Sequence, residues 1–276
     1  MRIDSHQHFW TYDPSQYDWI PQGSNIHRDF GPSDLKPLLD SVKLDGCVAV
    51  QARQSLAEND YLCKLAAQHD WIRGVVGWID LRSEQVDEQA AAFRALPKAV
   101  GVRHVVQGET DPEFMARAPF RRGISTLQKH GLVYDILIFE HQLDDAIALV
   151  KAFPEQPFVI DHIAKPRIKE KSIRAWSEKM TEISHYANAS IKLSGMVTEA
   201  DHSTWKLSEL EPYWEVVLQA FGPDRILFGS DWPVIRLASS YERWIEIVSR
   251  WLDRLTPKDR EKIWGENATR FYKLDR

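Results

Sequence analysis

The sequence predicts an α/β protein folded as one (β/α)8 barrel across residues 1–276. Three observations carry that expectation. Short β-branched runs alternate with longer stretches whose apolar residues fall at helical spacing, the mark of repeated βα units. The short runs are nearly continuous in apolar residues, as a parallel sheet covered by helices requires. Eight such runs fit into 276 residues, and barrels of this architecture typically take about 250.

In chain order the strands are expected at residues 2–8, 46–52, 75–80, 100–106, 133–138, 157–162, 190–194 and 226–230. Helical spacing falls at 58–69, 83–95, 120–130, 143–152, 173–185, 210–221 and 241–254. Ser33-Asp34 and Ser83-Glu84 read as helix starts, Gly131 and Gly222-Pro223 as helix stops. No Gly-rich turn follows the first strand, which argues against an open dinucleotide-binding sheet. Two loops, 9–34 and 198–208, are longer than a compact barrel needs and are candidate lids or substrate walls.

Composition excludes several classes. The net charge is −5 with no long basic run, so nucleic acid is not an expected partner. No apolar run approaches the roughly 20 residues of a membrane span. The N-terminus turns polar at once, so no signal peptide is expected and the cytoplasm is the expected compartment. Cys47 and Cys63 lie in apolar patterns and read as buried thiols. A homo-oligomer is compatible with these residues.

In a barrel of this kind, chemistry sits at the C-terminal strand ends. There the sequence places His6-Gln-His8, Gln51, Trp78, Asp80, Arg103-His104, Asp135, Asp161-His162, Lys192, Ser194 and Ser230-Asp231-Trp232. Charged groups are costly to bury without partners, so the set is unlikely to arise by accident. With period two, His6 and His8 share one strand face and can meet one ion or one substrate group. Asp231 reads either as a base or metal ligand, or as a turn residue before Pro233. First and last strands are neighbours in a closed barrel, which favours a shared pocket. His162 reads as a carbonyl-polarising group or a core histidine. Arg103 suits oxygen recognition or an interior salt bridge to Asp135 or Asp4. Lys192 and Ser194 share a face that points inward or out. His141 reads as a surface residue, and His202 reaches the pocket only if its loop folds inward.

The stretches Ile3-Asp-Ser-His-Gln-His-Phe-Trp10, Arg28-Asp-Phe-Gly-Pro-Ser-Asp-Leu35, Val50-Gln51, Gly101-Val-Arg103, Asp161-His162, Lys192-Leu-Ser-Gly195 and Leu227-Phe-Gly-Ser-Asp-Trp-Pro233 span the chain. Together they resemble the amidohydrolase superfamily, a TIM-like barrel group. More narrowly, they resemble its sugar-acid lactonases: fuconolactonases, rhamnonolactonases and dicarboxylate lactonases. The resemblance implies hydrolysis of a sugar lactone, with Asp231 as base and His6, His8 and His162 polarising the carbonyl. It implies Arg103, Gln51, Lys192 and Arg28 as substrate-holding groups, and Trp10, Trp78 and Trp232 as apolar walls. Binuclear relatives carry a bridging lysine on the fourth strand, where this chain has Arg103-His104; many mononuclear ones carry a histidine on the fifth, where it has Asp135. One divalent ion held by His6, His8 and Asp231, with His162 as a further ligand, suits zinc; a metal-free site is equally compatible, because a lactone is an activated ester. Two rivals remain open. A metal-dependent decarboxylase requires a tightly held ion, and a non-catalytic sugar-acid binder requires binding that survives Asp231→Asn.

Overall fold

The structure, a computed structural model, describes residues 1–274. Eight parallel strands pair in chain order: β1 (Ile3–Gln7), β2 (Gly46–Val50), β3 (Ile72–Gly77), β4 (Ala99–His104), β5 (Val133–Ile136), β6 (Phe158–Ile160), β7 (Ala189–Leu193) and β8 (Ile226–Phe228). The outer helices are α1 (Pro32–Ser41), α2 (Leu56–Gln68), α3 (Val86–Arg94), α4 (Ala118–Lys129), α5 (Leu143–Ala152), α6 (Arg174–Ser184), α7 (Leu207–Phe221) and α8 (Tyr241–Leu252). A parallel bridge between Gln7 and Trp232 joins the last strand region to the first. Its hydrogen bonds are His8 N–H to Trp232 O at 2.7 Å and Asp231 N–H to His6 O at 2.8 Å. The expected barrel is thus the observed one.

Along the strands, period two separates an outer apolar face from the barrel interior. Ile3, Val48, Val50, Val76, Val133, Val159 and Leu227 form one interior cluster, plugged from the strands' N-terminal side by Ala268, Tyr272 and Leu274. Two positions onward from Val133 and Val159 come Asp135 and Asp161, so a polar layer lies directly above the apolar one. β1 needs a correction to simple alternation. Asp4 pairs with Cys47 and Gln7 with Ala49, so β1 carries one extra residue between them. A bulge of this kind reverses the facing of everything beyond it. Ile3 and His6 therefore both face inward, while Asp4 accepts from Ser230 N–H at 2.9 Å and from the Tyr241 hydroxyl of α8 at 3.0 Å.

Helix ends follow the expected chemistry in most places. Gly131 and Gly222 adopt φ of 64° and 62°, the left-handed region that favours glycine. Helix α1 begins earlier than Ser33: Gly31 N–H donates to the Asp34 carboxylate at 2.9 Å. β3 begins three residues before the expected start, because Arg73 and Gly74 weaken the β pattern without breaking the ladder to Val48. Trp78 and Asp80 consequently fall past the strand.

The sequence pattern left the chain after residue 254 unassigned. The structure forms α9 (Pro257–Glu261), a π-helical turn (Lys262–Glu266) and α10 (Asn267–Tyr272) there. This segment grips β1. A Cβ at Gly265 would stand 2.1 Å from Met1 O and 2.7 Å from Ile3 N, which no side chain tolerates without moving backbone. Gly265→Ala is accordingly expected to destabilise the protein by about 1–3 kcal/mol, as overpacking typically does. Chemical denaturation measures it, and an unchanged midpoint would show that the C-terminal segment does not hold the barrel floor.

Candidate active site

The strand-end residues meet in one buried set. His6 Nε2 and His8 Nε2 are 3.2 Å apart. Asp231 Oδ1 lies 3.3 Å from His8 Nε2, 3.8 Å from His6 Nε2 and 3.9 Å from His162 Nε2. Asp231 adopts φ 60°; its carbonyl accepts from Ile235 N–H at 2.9 Å, while its side chain turns to the imidazoles rather than capping a helix.

The His8 tautomer follows from its outer partner. His8 Nδ1–H donates to Val50 O at 2.7 Å, leaving Nε2 a bare lone pair. His6 has a cation beside each nitrogen, Arg103 at 3.2 Å from Nε2 and Lys192 Nζ at 3.0 Å from Nδ1, with Asp161 Oδ1 3.3 Å from Nδ1. Burial lowers the pKa of all three histidines, His162 to about 4. Burial alone would raise Asp231, but the imidazoles of His162, His8 and His6 hold its carboxyl well below the usual range. At neutral pH a carboxylate therefore faces three neutral imidazoles, with the bare Nε2 of His8 nearest.

Beneath this set lies the polar layer. Lys192 Nζ contacts Asp135 Oδ2 at 2.5 Å and Asp161 Oδ1 at 2.9 Å, with all three side chains fully buried. Arg103 donates to Asp161 Oδ2 at 3.0 Å and to the Gln51 carbonyl. Tyr272 of α10 reaches up to donate to Asp135 Oδ2 at 2.9 Å. Burial pushes Asp135 up to about 6, against the pull of Lys192. Asp161 is held well below the usual range: burial opposes this, but Lys192, His6 and Arg103 together prevail.

This arrangement corrects several expectations. Arg103 is an interior salt bridge whose partner is Asp161, not Asp135 or Asp4: Asp135, beside it on β5, is held by Lys192 and Tyr272, and Asp4 faces outward to Ser230 and Tyr241. Gln51, Arg103 and Lys192 are buried in this lattice. Trp232 and Trp10 are 1% exposed and packed with Phe9 and Phe30, so neither offers a free wall. Trp78 is half-buried and donates to His104 Nδ1 at 3.2 Å. Arg28 is half-exposed, paired with Asp34 at 3.0 Å and lying over Phe30, apart from the His/Asp set.

Three groups gain importance that the sequence reading had not given them. Asp161 orients His6. Ser194 Oγ lies 2.9 Å from His162 Nδ1, and Gly195 beside it leaves room for that ring, since a Cβ there would stand 2.5 Å from His162 Nδ1. Lys165 ends the same turn and lines a cavity of about 850 Å³ formed by the loops after β5, β6 and β7. His141 and His202 both line it, and residues 198–203 of the long loop form one of its sides. The loop at 9–34 instead packs Phe9, Trp10, Tyr17 and Phe30 into the core and leaves Trp19 exposed.

An eight-stranded barrel with two histidines on β1, a third after β6 and an aspartate after β8, all converging at the strands' C-terminal ends, defines a hydrolytic barrel. The Amidohydrolase family model matches residues 3–274, and the chain belongs to that family. It is 40% identical to an L-fucono-1,5-lactonase of Burkholderia multivorans, over 99% of this chain and 96% of the relative. It is 36% identical to an L-fucono-1,5-lactonase of Burkholderia ambifaria, over 100% and 97%. A solved Burkholderia multivorans amidohydrolase, described with bound Zn, superposes with a TM-score of 0.96 at 40% identity over 99% of each chain. Among the described residues no helix is long and apolar enough to cross a membrane.

The polar layer generates a stability test. Lys192→Met leaves Asp135 and Asp161 buried without their common cation, and breaking a buried pair from one side costs about 3–5 kcal/mol. Denaturant unfolding should show that loss, with part of it recovered in the Lys192→Met/Asp135→Asn double variant. A double variant no more stable than the single would refute the pairing.

Proposed function

We propose that the protein opens a sugar-acid lactone to the free acid, with Asp231 as the base that activates water. The observation that carries this reading is the Asp231 carboxylate, ionised and set among three imidazoles at the barrel mouth. The relatives named L-fucono-1,5-lactonase support the substrate class.

The donors also fit one divalent ion. Ligands about 2.0–2.2 Å from a tetrahedral ion stand roughly 3.3–3.6 Å apart, against 3.2, 3.3 and 3.8 Å for His6, His8 and Asp231. The same three residues form a cluster of potential ligands. Val50 O and Asp161 would hold the outer nitrogens, the usual support for metal-bound imidazole. Such an ion, when bound, supplies Lewis-acid polarisation of the carbonyl. We propose His6, His8 and Asp231 as its holders.

The chain's own groups account for the proton movements. Asp231 takes a proton from the attacking water, which raises its nucleophilicity as the bond to the carbonyl carbon forms. With the Ser194 hydroxyl donating to His162 Nδ1, the His162 Nε2–H is free to donate to the oxygen that gains negative charge. His8 cannot share that role while neutral, because its Nδ1–H is committed to Val50 O and its inward nitrogen is an acceptor. The division of labour is therefore sharper than three equivalent histidines. The proton held by Asp231 then passes to the departing ring oxygen, which leaves as a hydroxyl on the open acid.

Acid release from aldonolactones, followed with a pH indicator with and without chelator, tests the reading. Asp231→Asn should lower turnover by roughly 10²–10⁴-fold; near-normal turnover would remove Asp231 as the base. The pH profile is a separate check. Because the carboxyl is held below its ordinary range, it stays ionised as pH falls, and His162 stays neutral down to about 4. kcat/KM should therefore be flat from about pH 8 to pH 5. An acid limb with a midpoint between about 6 and 7 would assign the base to a histidine instead.

A further inference from the structure

The groups first expected to hold substrate are mostly locked in the buried lattice, which leaves open what grips the ligand. The cavity of about 850 Å³ lies over the loops that follow β5, β6 and β7. Two of those loops also carry His162 and Ser194, and Lys165 on the cavity wall closes the turn that begins at His162. Burial raises the pKa of Glu199 on its wall, against the pull of Lys165 and with a further push from the charge of Asp231.

The charges of the wall are matched internally. Arg167 pairs with Glu140 at 2.5 Å and Lys169 with Asp201 at 3.3 Å. Lys165 and Glu199 form the third pair, but their Nζ and Oε1 are 3.9 Å apart, beyond hydrogen-bond reach. Among the described residues neither side chain makes another hydrogen bond. Their side chains are only 18% and 20% exposed, so bulk water does not fully serve them either. A donor and an acceptor held just too far apart are complementary to a hydroxyl, which accepts from one and donates to the other. Phe139 lies beneath, its ring 5.5 Å from Lys165 Nζ, an apolar face of the kind a sugar's C–H groups cover.

Formally the lining carries three cations against four carboxylates, Glu170 being the fourth. No cation is left over for a carboxylate on the substrate. We propose that this cavity is the subsite for the hydroxylated part of an uncharged lactone, and that Lys165 and Glu199 grip its hydroxyls. Lactones bearing further carboxylates are rejected, since each would face a wall with excess negative charge and would leave its own charge unpaired. This inference rests on the lactonase reading for its substrate but not for its test.

Lys165→Met and Glu199→Gln are compared with the wild type on a polyhydroxylated δ-lactone and on unsubstituted δ-valerolactone. Hydrogen bonds to charged groups contribute about 1.5–3 kcal/mol, so each substitution should lower the ratio of the two kcat/KM values roughly 10- to 100-fold, mainly through KM. A ratio within twofold of wild type in both variants overturns the subsite, as does wild-type turnover of a dicarboxylated lactone equal to that of the neutral one. If the wild type opens no lactone, the lactonase reading fails while the subsite is still read by calorimetry with a polyhydroxylated δ-lactam. Binding weakened at least tenfold in the folded variants supports it, and binding equal to wild type, or none by the wild type, overturns it. Thermal unfolding confirms that each variant is folded, and either variant alone suffices.

Discussion

Two backbone hydrogen bonds hold the rest of the structure in place: His8 N–H to Trp232 O and Asp231 N–H to His6 O. They join the two ends of the sheet, and the residues that make them carry the side chains of the site. Closing the barrel and assembling the His/Asp set are therefore one event. Asp4 secures the same seam from outside, accepting from Ser230 N–H, His6 N–H and the Tyr241 hydroxyl. The extra residue in β1 is what lets Asp4 serve the outer face while His6 serves the inner one. Gly229 is part of the same fit: a Cβ there would stand 2.8 Å from the His6 Cβ, so the seam closes only over a bare backbone.

Below the seam, the lattice of Asp135, Asp161, Lys192 and Arg103 is expensive to desolvate, and apolar replacements often match buried ion pairs in stability. Its value is better sought in positioning. Asp161 receives Lys192 and Arg103 on its two oxygens and still faces His6 Nδ1. A ring held by fixed charges does not reorient as a reaction develops charge, which is the condition for electrostatic stabilisation in an enclosed site. The Tyr272 contact extends this lattice to α10. The barrel floor and the polar layer are consequently one unit.

The strands, most helices and the convergence of His6, His8, His162 and Asp231 were legible in the sequence because they depend on periodicity and on the ends of strands. Depth was not legible. Period two puts Lys192 and Ser194 on one face without saying that it points inward, or that Lys192 and Arg103 end in a closed lattice below the mouth. Trp232 read as a wall because it follows Asp231; packing with Phe9 and Phe30 across the seam turns it inward. Lys165 stood in plain view in His162-Ile-Ala-Lys165, yet its role depends on Glu199, which arrives from the next loop. A relation between two loops has no local signature.

The turn that joins His162 to Lys165 connects the reacting centre to the cavity. Four consecutive residues, His162 to Lys165, have φ between 46° and 60°, and none is glycine. Each left-handed residue costs roughly 1–2 kcal/mol, so the turn exists only because its surroundings dictate it. The Trp176 indole donates to Ile163 O at 2.8 Å, Lys165 N–H donates to His162 O at 2.8 Å, and Ile163 and Ala164 are fully buried. An ordinary right-handed turn would reverse the direction in which the side chains leave the chain. His162 would then lose Ser194, and Lys165 would lose its place opposite Glu199. Strain at one short segment thus sets two positions at once: the imidazole facing Asp231 and the ammonium facing the cavity. The imidazole beside Asp231 and the ammonium on the cavity wall are placed by the same four residues, so a change in this turn moves both.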